Sequence, residues 1–148
     1  MKRFHLNLTV RDLDRSVAFY STLFDQEPTV KKDDYAKWML DDPFINLSIS
    51  TRGDAAGINH VGIQAHDDEE LALLRERLVK ADAPILDQDA VTCCYANSKK
   101  AWISDPDGVS WETFVTHGHS TSYGEGTDAV EAALKPAATK ANKACCGT

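Results

Sequence analysis

The chain has 148 residues, enough for one compact domain or for two small modules sharing a core, and 43% of them are hydrophobic. A formal net charge of -7 argues against a nucleic-acid-binding surface, because a phosphate backbone selects basic patches and Lys31 with Lys32 and Lys99 with Lys100 are only isolated pairs. No run approaches the ~18 consecutive apolar residues of a membrane span, and the opening MKRFHLNLTV lacks the pattern of a signal peptide, so the expected setting is the cytoplasm, with no membrane partner.

Residues 4–10, FHLNLTV, alternate apolar and polar positions and predict a strand whose polar face carries His5, Asn7 and Thr9. Asp12 is a suitable N-cap for a helix over residues 12–24, in which Leu13, Val17, Tyr20 and Phe24 form one stripe. Three short stretches rich in strand formers follow, EPTVKKDD, YAKWMLDD and INLSISTR, set apart by Asp and Pro. After the connector GDAAG, residues 53–57, the order begins again: NHVGIQAHDDEELALLRERLVKAD reads as strand then helix, with His60 standing where His5 stood. Leu71, Leu74 and Leu78 share a face of that helix, and its charges suit the solvated side. The chain continues through APILDQDAV, a polar stretch containing Cys93 and Cys94, the strand KAWIS, a turn at Asp105, Pro106, Asp107 and Gly108, and the strand VSWETFVT.

One strand-helix-three-strand unit has a single apolar sheet face and too little core, so two units are expected to pack as paired curved sheets with a cleft on the concave side. The expected class is therefore α+β, with two tandem βαβββ modules at about residues 1–52 and 57–117 in one globular domain. His5 and His60 become matched residues facing one cleft, and Glu112, on the last strand, is a natural third partner. Two imidazoles and one carboxylate form the facial triad that holds iron(II) with open positions. His66, His117 and His119 are read as ordinary surface or hydrogen-bonded histidines.

The repeated module, the histidine opening each half and the closing DPDGVSWETF resemble the vicinal oxygen chelate superfamily, which includes glyoxalase I, extradiol dioxygenases and bleomycin-resistance proteins. The resemblance covers residues 1 to about 117. Asp105, Pro106, Gly108 and Glu112 match its closing motif, and the resemblance implies that Glu112 is a metal ligand alongside His5 and His60. Glyoxalase I relatives add a fourth ligand from the last strand of the first module. Here that strand reads INLSIST, and Asn46 is a poor substitute, so a three-ligand iron site is favoured over a four-ligand nickel or zinc site.

Adjacent thiols sit too close for an ordinary disulfide, whose α-carbons prefer roughly 4.4–6.8 Å against about 3.8 Å for neighbours, so Cys93 and Cys94 suit a binding role. The pair resembles that of the carbon–arsenic lyases of this superfamily, which use nonheme iron(II) and oxygen on methylarsenite and trivalent aromatic arsenicals. The resemblance implies that Cys93 and Cys94 hold a trivalent organoarsenical near Fe(II), with O2 as cosubstrate and arsenite as product. Two other functions fit part of the pattern: a resistance protein that sequesters an arsenical or drug, and an extradiol dioxygenase that leaves the cysteines idle. The run from Tyr95 to Lys100 is expected as a candidate lid, Lys99 and Lys100 being the cations nearest the thiols, with a plain exposed loop as the alternative. Residues 118–148 read as a largely disordered tail whose end, with Cys145 and Cys146, repeats the thiol pair. The oligomeric state is open.

Overall fold

The computed structural model describes residues 1–81, 84–93 and 95–119, with side chains for all of these but 89–93, 96, 97 and 119. Two α-helices and eight strands alternate in the expected order: β1 (Arg3–Thr9), α1 (Leu13–Phe24), β2 (Val30–Lys31), β3 (Tyr35–Asp41), β4 (Phe44–Ser50), β5 (Gly57–Gln64), α2 (Asp68–Lys80), β6 (Leu86–Cys93), β7 (Ala96–Ser104) and β8 (Ser110–His119). All eight strands join one open, curled sheet in the order β2-β3-β4-β1-β5-β8-β7-β6. That order reads the same from either end: β1 lies parallel to β4, β5 lies parallel to β8, and the halves meet where β1 runs antiparallel to β5. Among the described residues no helix is long and apolar enough to cross a membrane.

Local chemistry accounts for the elements. The Asp12 side chain accepts a hydrogen bond from Arg15 N–H and caps α1, and Asp67 does the same for α2 through Glu70 N–H. At the β7–β8 connection Gly108 N–H donates to Asp105 O, while Asp105 Oδ1 accepts from the N–H groups of Asp107 and Val109. Gly108 has φ of 87°, a conformation that costs glycine nothing.

Period-two alternation gives the sheet two unlike faces. On the helix side, Leu13 and Val17 of α1 pack on Ala36, Trp38, Leu40, Leu47 and Ile49, with Leu6 and Leu8 of β1 beside them. Trp38 is fully buried, and its Nε1 donates to Gln26 O at 3.0 Å, so the indole brings no unpaired donor into the core. A smaller cluster of Ala65, Leu74 and Val115 lies under α2. The opposite face is polar and nevertheless buried: His5, Asn7 and Thr9 from β1, Asn46, Ser48 and Ser50 from β4, then His60, Lys100 and Glu112. The curl also brings the sheet's far edges together. Tyr95, in the turn between β6 and β7, donates its hydroxyl to Asp34 Oδ1 at 2.8 Å, just ahead of β3.

The polar run after Tyr95 is not a connection. Residues 96–104 form β7, paired with β6 on one side and β8 on the other, so Lys99 and Lys100 are built into the sheet instead of lying in a lid. Polar composition suggested a loop, but these residues have strand neighbours on both edges and a buried face to supply. β8 runs to His119, past the expected end of the globular part at residue 117, and residues 120–148, with Cys145 and Cys146, lie outside the described residues.

Candidate metal centre

His5 and His60 stand on the two strands that form the seam between the halves, and Glu112 on the strand beside β5. All three are buried, with 6%, 5% and 3% of their surface exposed. His5 Nε2 and His60 Nε2 are 3.2 Å apart, and Glu112 Oε2 lies 3.6 Å from the first and 3.5 Å from the second. The outward nitrogens fix the chemistry of the inward ones. His5 Nδ1 is 2.9 Å from the backbone oxygen of Asn46, and His60 Nδ1 is 2.7 Å from Asn59 Oδ1. Those oxygens only accept, so each Nδ1 carries the proton and each Nε2 presents a lone pair.

Two lone pairs and a carboxylate oxygen thus face one another at a buried site, an arrangement that repels unless a cation lies between them. A near-equilateral triangle with these edges has a centre about 2 Å from each corner, the length of a metal bond to imidazole or carboxylate. The residues present therefore fit a metal, and the two Nδ1 contacts are of the kind that orient histidines in metal sites.

Electrostatics prepare the donors. Burial pushes His5 down from 6.5 to about 4, with Glu112 opposing the fall and His60 adding to it. The imidazole is neutral, and available as a donor, at neutral pH. For Glu112 burial alone would raise the carboxyl, but the Lys100 ammonium, with His60 and His5, outweighs it and holds the group well below the usual carboxylate range. Lys100 Nζ donates to Glu112 Oε1 at 2.6 Å, and Lys100 is itself buried. That bond occupies one carboxylate oxygen and leaves Oε2 toward the histidines. Phe114 meets the His5 ring edge-on at 5.1 Å and Trp102 meets His60 at 5.0 Å, walling the donors from water.

A pH dependence follows with a definite sign. Between pH 6.5 and about 4 the unfolded chain takes up a proton at His5 that the folded chain refuses, so stability rises with pH there and is lost on acidification. Urea midpoints of metal-free protein across that window are expected to fall by the equivalent of up to about 3 kcal/mol from this group, and His5→Gln is expected to flatten the fall. A flat wild-type profile would contradict the burial argument.

Of the residues singled out in the sequence, His5, His60 and Glu112 are brought together, and Lys100 joins them. Lys99 points away, onto Asp68 of α2 at 3.0 Å. Tyr95 reaches Asp34. Cys93 ends β6, with its backbone paired to Ala96, but its side chain and all of Cys94 lie outside the described residues. Asn46 serves through its backbone oxygen, while its side-chain Nδ2 donates to Gln64 Oε1 at 2.9 Å. The counterpart of Glu112 in the first half is Ser48: it pairs with Asn7 as Glu112 pairs with Gly62, and Asn7 and Gly62 each stand two places after a histidine. Ser48 Oγ accepts from Asn7 Nδ2 at 2.7 Å. Sequence reasoning missed Gly62, although an isolated glycine within a strand is a usual sign of close backbone approach.

An open curled sheet built from two matched halves, with a buried two-histidine, one-carboxylate cluster at their junction, defines a vicinal oxygen chelate protein. The chain belongs to the Glyoxalase/Bleomycin resistance protein/Dioxygenase superfamily, whose family model matches residues 2–113. It is 43% identical, over 121 residues that cover 78% of this chain and 74% of the relative, to the trivalent organoarsenical cleaving enzyme of Bacillus sp. (strain MD1). It is 33% identical to the probable trivalent organoarsenical cleaving enzyme of Bacillus subtilis (strain 168), over 99% of this chain and 100% of that one. In fold it is similar to an extradiol ring-cleaving dioxygenase from B. fuscum, with a TM-score of 0.60 at 15% identity over 78% of this chain and 32% of the other.

Proposed function

We propose that this protein cleaves the carbon–arsenic bond of trivalent organoarsenicals such as methylarsenite, using iron(II) and dioxygen and releasing arsenite. The observation that carries the reading is the buried convergence of His5 Nε2, His60 Nε2 and Glu112 Oε2, in a chain related to enzymes named for organoarsenical cleavage. Iron(II) in a three-ligand site of this kind supplies open coordination positions and the redox chemistry that dioxygen requires.

The chain's own residues have separate tasks. Cys93 and Cys94 take the arsenical: each thiol replaces one hydroxyl on arsenic, an As–S bond forms, and the thiol proton leaves with the hydroxyl as water. The single carbon substituent stays attached and is presented to the cleft. A reducing, cytoplasmic setting keeps both thiols ready. Lys100 keeps Glu112 ionised and restricts it to one donor oxygen. Asn46 and Asn59 hold the imidazoles in the donor tautomer. Trp102 and Phe114 exclude water around them.

The test is anaerobic loading with iron(II), addition of methylarsenite, admission of oxygen, and arsenic speciation of the products. Arsenite is expected, with oxygen uptake. Cys93→Ser and Cys94→Ser are each expected to abolish cleavage while iron binding persists. Stoichiometric binding without arsenite release would overturn the reading in favour of sequestration, and catechol turnover indifferent to both serine changes would favour an extradiol dioxygenase.

A further inference from the structure

Tyr95 combines two features that do not ordinarily coincide. Its backbone is left-handed, with φ of 61°, immediately before Ala96, the strand partner of Cys93. A tyrosine there is strained where glycine would be relaxed. Its side chain crosses to the opposite edge of the sheet, where the hydroxyl donates to Asp34 Oδ1 at 2.8 Å and the ring lies 5.7 Å from that of Tyr35. Asp34 is steadied in turn by a hydrogen bond from Arg52 Nε and by Thr51 N–H donating to its backbone oxygen. Lys32 Nζ lies 5.5 Å over the Tyr95 ring. Strand pairing alone leaves the β6–β7 end of the sheet attached only to its neighbour β8. This contact ties it to the other half.

We propose that Tyr95 and Asp34 form a positioning latch that holds the start of β7, directly after the Cys93–Cys94 pair in sequence, against the first half of the sheet, and that turnover depends on it. The identity of what is positioned, an arsenical on two thiols, rests on the function proposed above; the latch itself rests on the contact. Both act through the turn: the described contacts of Tyr95 are with Asp34, Tyr35 and Lys32. Two adjacent thiols chelate arsenic wherever the turn sits, so affinity is insensitive to the latch. Turnover is sensitive, because a displacement of about 1 Å at a reacting centre costs up to about a hundredfold in rate. The hydroxyl proton stays on the tyrosine: the bond to Asp34 raises the phenol's pKa above its ordinary value.

The experiment compares the full wild-type chain with Tyr95→Phe, Tyr95→Gly, Asp34→Ala and the double variant Tyr95→Phe with Asp34→Ala. In metal-free protein, amide hydrogen exchange in a peptide spanning the β6–β7 turn is expected to speed up about tenfold or more in the Tyr95→Phe and Asp34→Ala variants, because a hydrogen bond to a charged group is lost. Phenylarsenite binding by the thiols should stay within about twofold, while kcat of the iron-loaded enzyme falls about tenfold or more. The double variant should be no worse than either single one. Tyr95→Gly discriminates: it relieves the backbone and removes the latch, so it should share the kinetic loss of Tyr95→Phe. Unchanged exchange in Tyr95→Phe, wild-type turnover in Tyr95→Gly, or losses that multiply in the double variant would each overturn the latch. A wild-type chain that binds phenylarsenite but releases no arsenite would fail the functional reading alone, and the exchange result would still decide the latch.

Discussion

Alanine in place of Gly62 is expected to weaken metal binding by about a hundredfold or more, beyond the 10- to 100-fold typical of changes one shell out from a metal ligand. A Cβ built at this position would lie 2.3 Å from the backbone oxygen of Glu112 and 3.2 Å from its Cβ. The first contact is with main chain, so no flexible tip can swing aside, and β5 and β8 must separate where they pair. That pairing spaces His60, two residues before Gly62, from Glu112. The same overpacking should cost on the order of 1–3 kcal/mol of folding stability. Titration with cobalt(II) as a spectroscopic substitute, together with urea unfolding, reads both effects. Gly118→Ala is the control, since among the described residues nothing lies within 4 Å of a Cβ there. A Gly62→Ala protein with wild-type metal affinity would show that this close approach does not set the spacing of the donors.

Removing Lys100 should have the second large effect, and its size should depend on the metal. Lys100→Met leaves the buried Glu112 carboxylate without the ammonium that holds it ionised. Breaking a buried pair from one side costs about 3–5 kcal/mol, so metal-free protein should lose stability on that scale. A bound divalent ion offsets part of the loss by supplying positive charge next to the same carboxylate. Linkage then requires the variant's folded state to bind the metal more tightly than the wild type does. Adding Glu112→Gln to Lys100→Met should recover much of the metal-free stability, because the stranded charge is gone. Equal losses with and without metal would sink this account, as would weaker metal binding by the single variant.

Much of this architecture can be read from spacing. Alternation in residues 4–10 fixes which face of β1 carries His5, and the recurrence of strand and helix before and after the 53–57 connector identifies His60 as its match. Asp12 marks the start of α1, and the Asp105 to Gly108 turn sets β7 against β8. The Lys100 contact is not legible because two adjacent lysines look alike in sequence while adjacent strand positions face opposite ways. Register alone sends Lys99 to Asp68 and Lys100 to Glu112. The polarity of residues 95–100 suggested a loop for the same reason: a polar strand face is counted as solvated until the curl of the sheet is known. The Tyr95 to Asp34 contact joins residues 61 positions apart at opposite edges of the sheet, and no local pattern announces it.

The unequal pair Ser48 and Glu112 has a consequence for how this scaffold diversifies. The matched positions are His5 with His60 and Ser48 with Glu112, and in the first half the second of them is held by a short hydroxyl already engaged by Asn7. How many donors the protein presents to an ion is therefore written in one side chain, while the backbone that displays them stays the same. A change at Ser48 alone would therefore alter the number of donors facing the junction without rebuilding a strand.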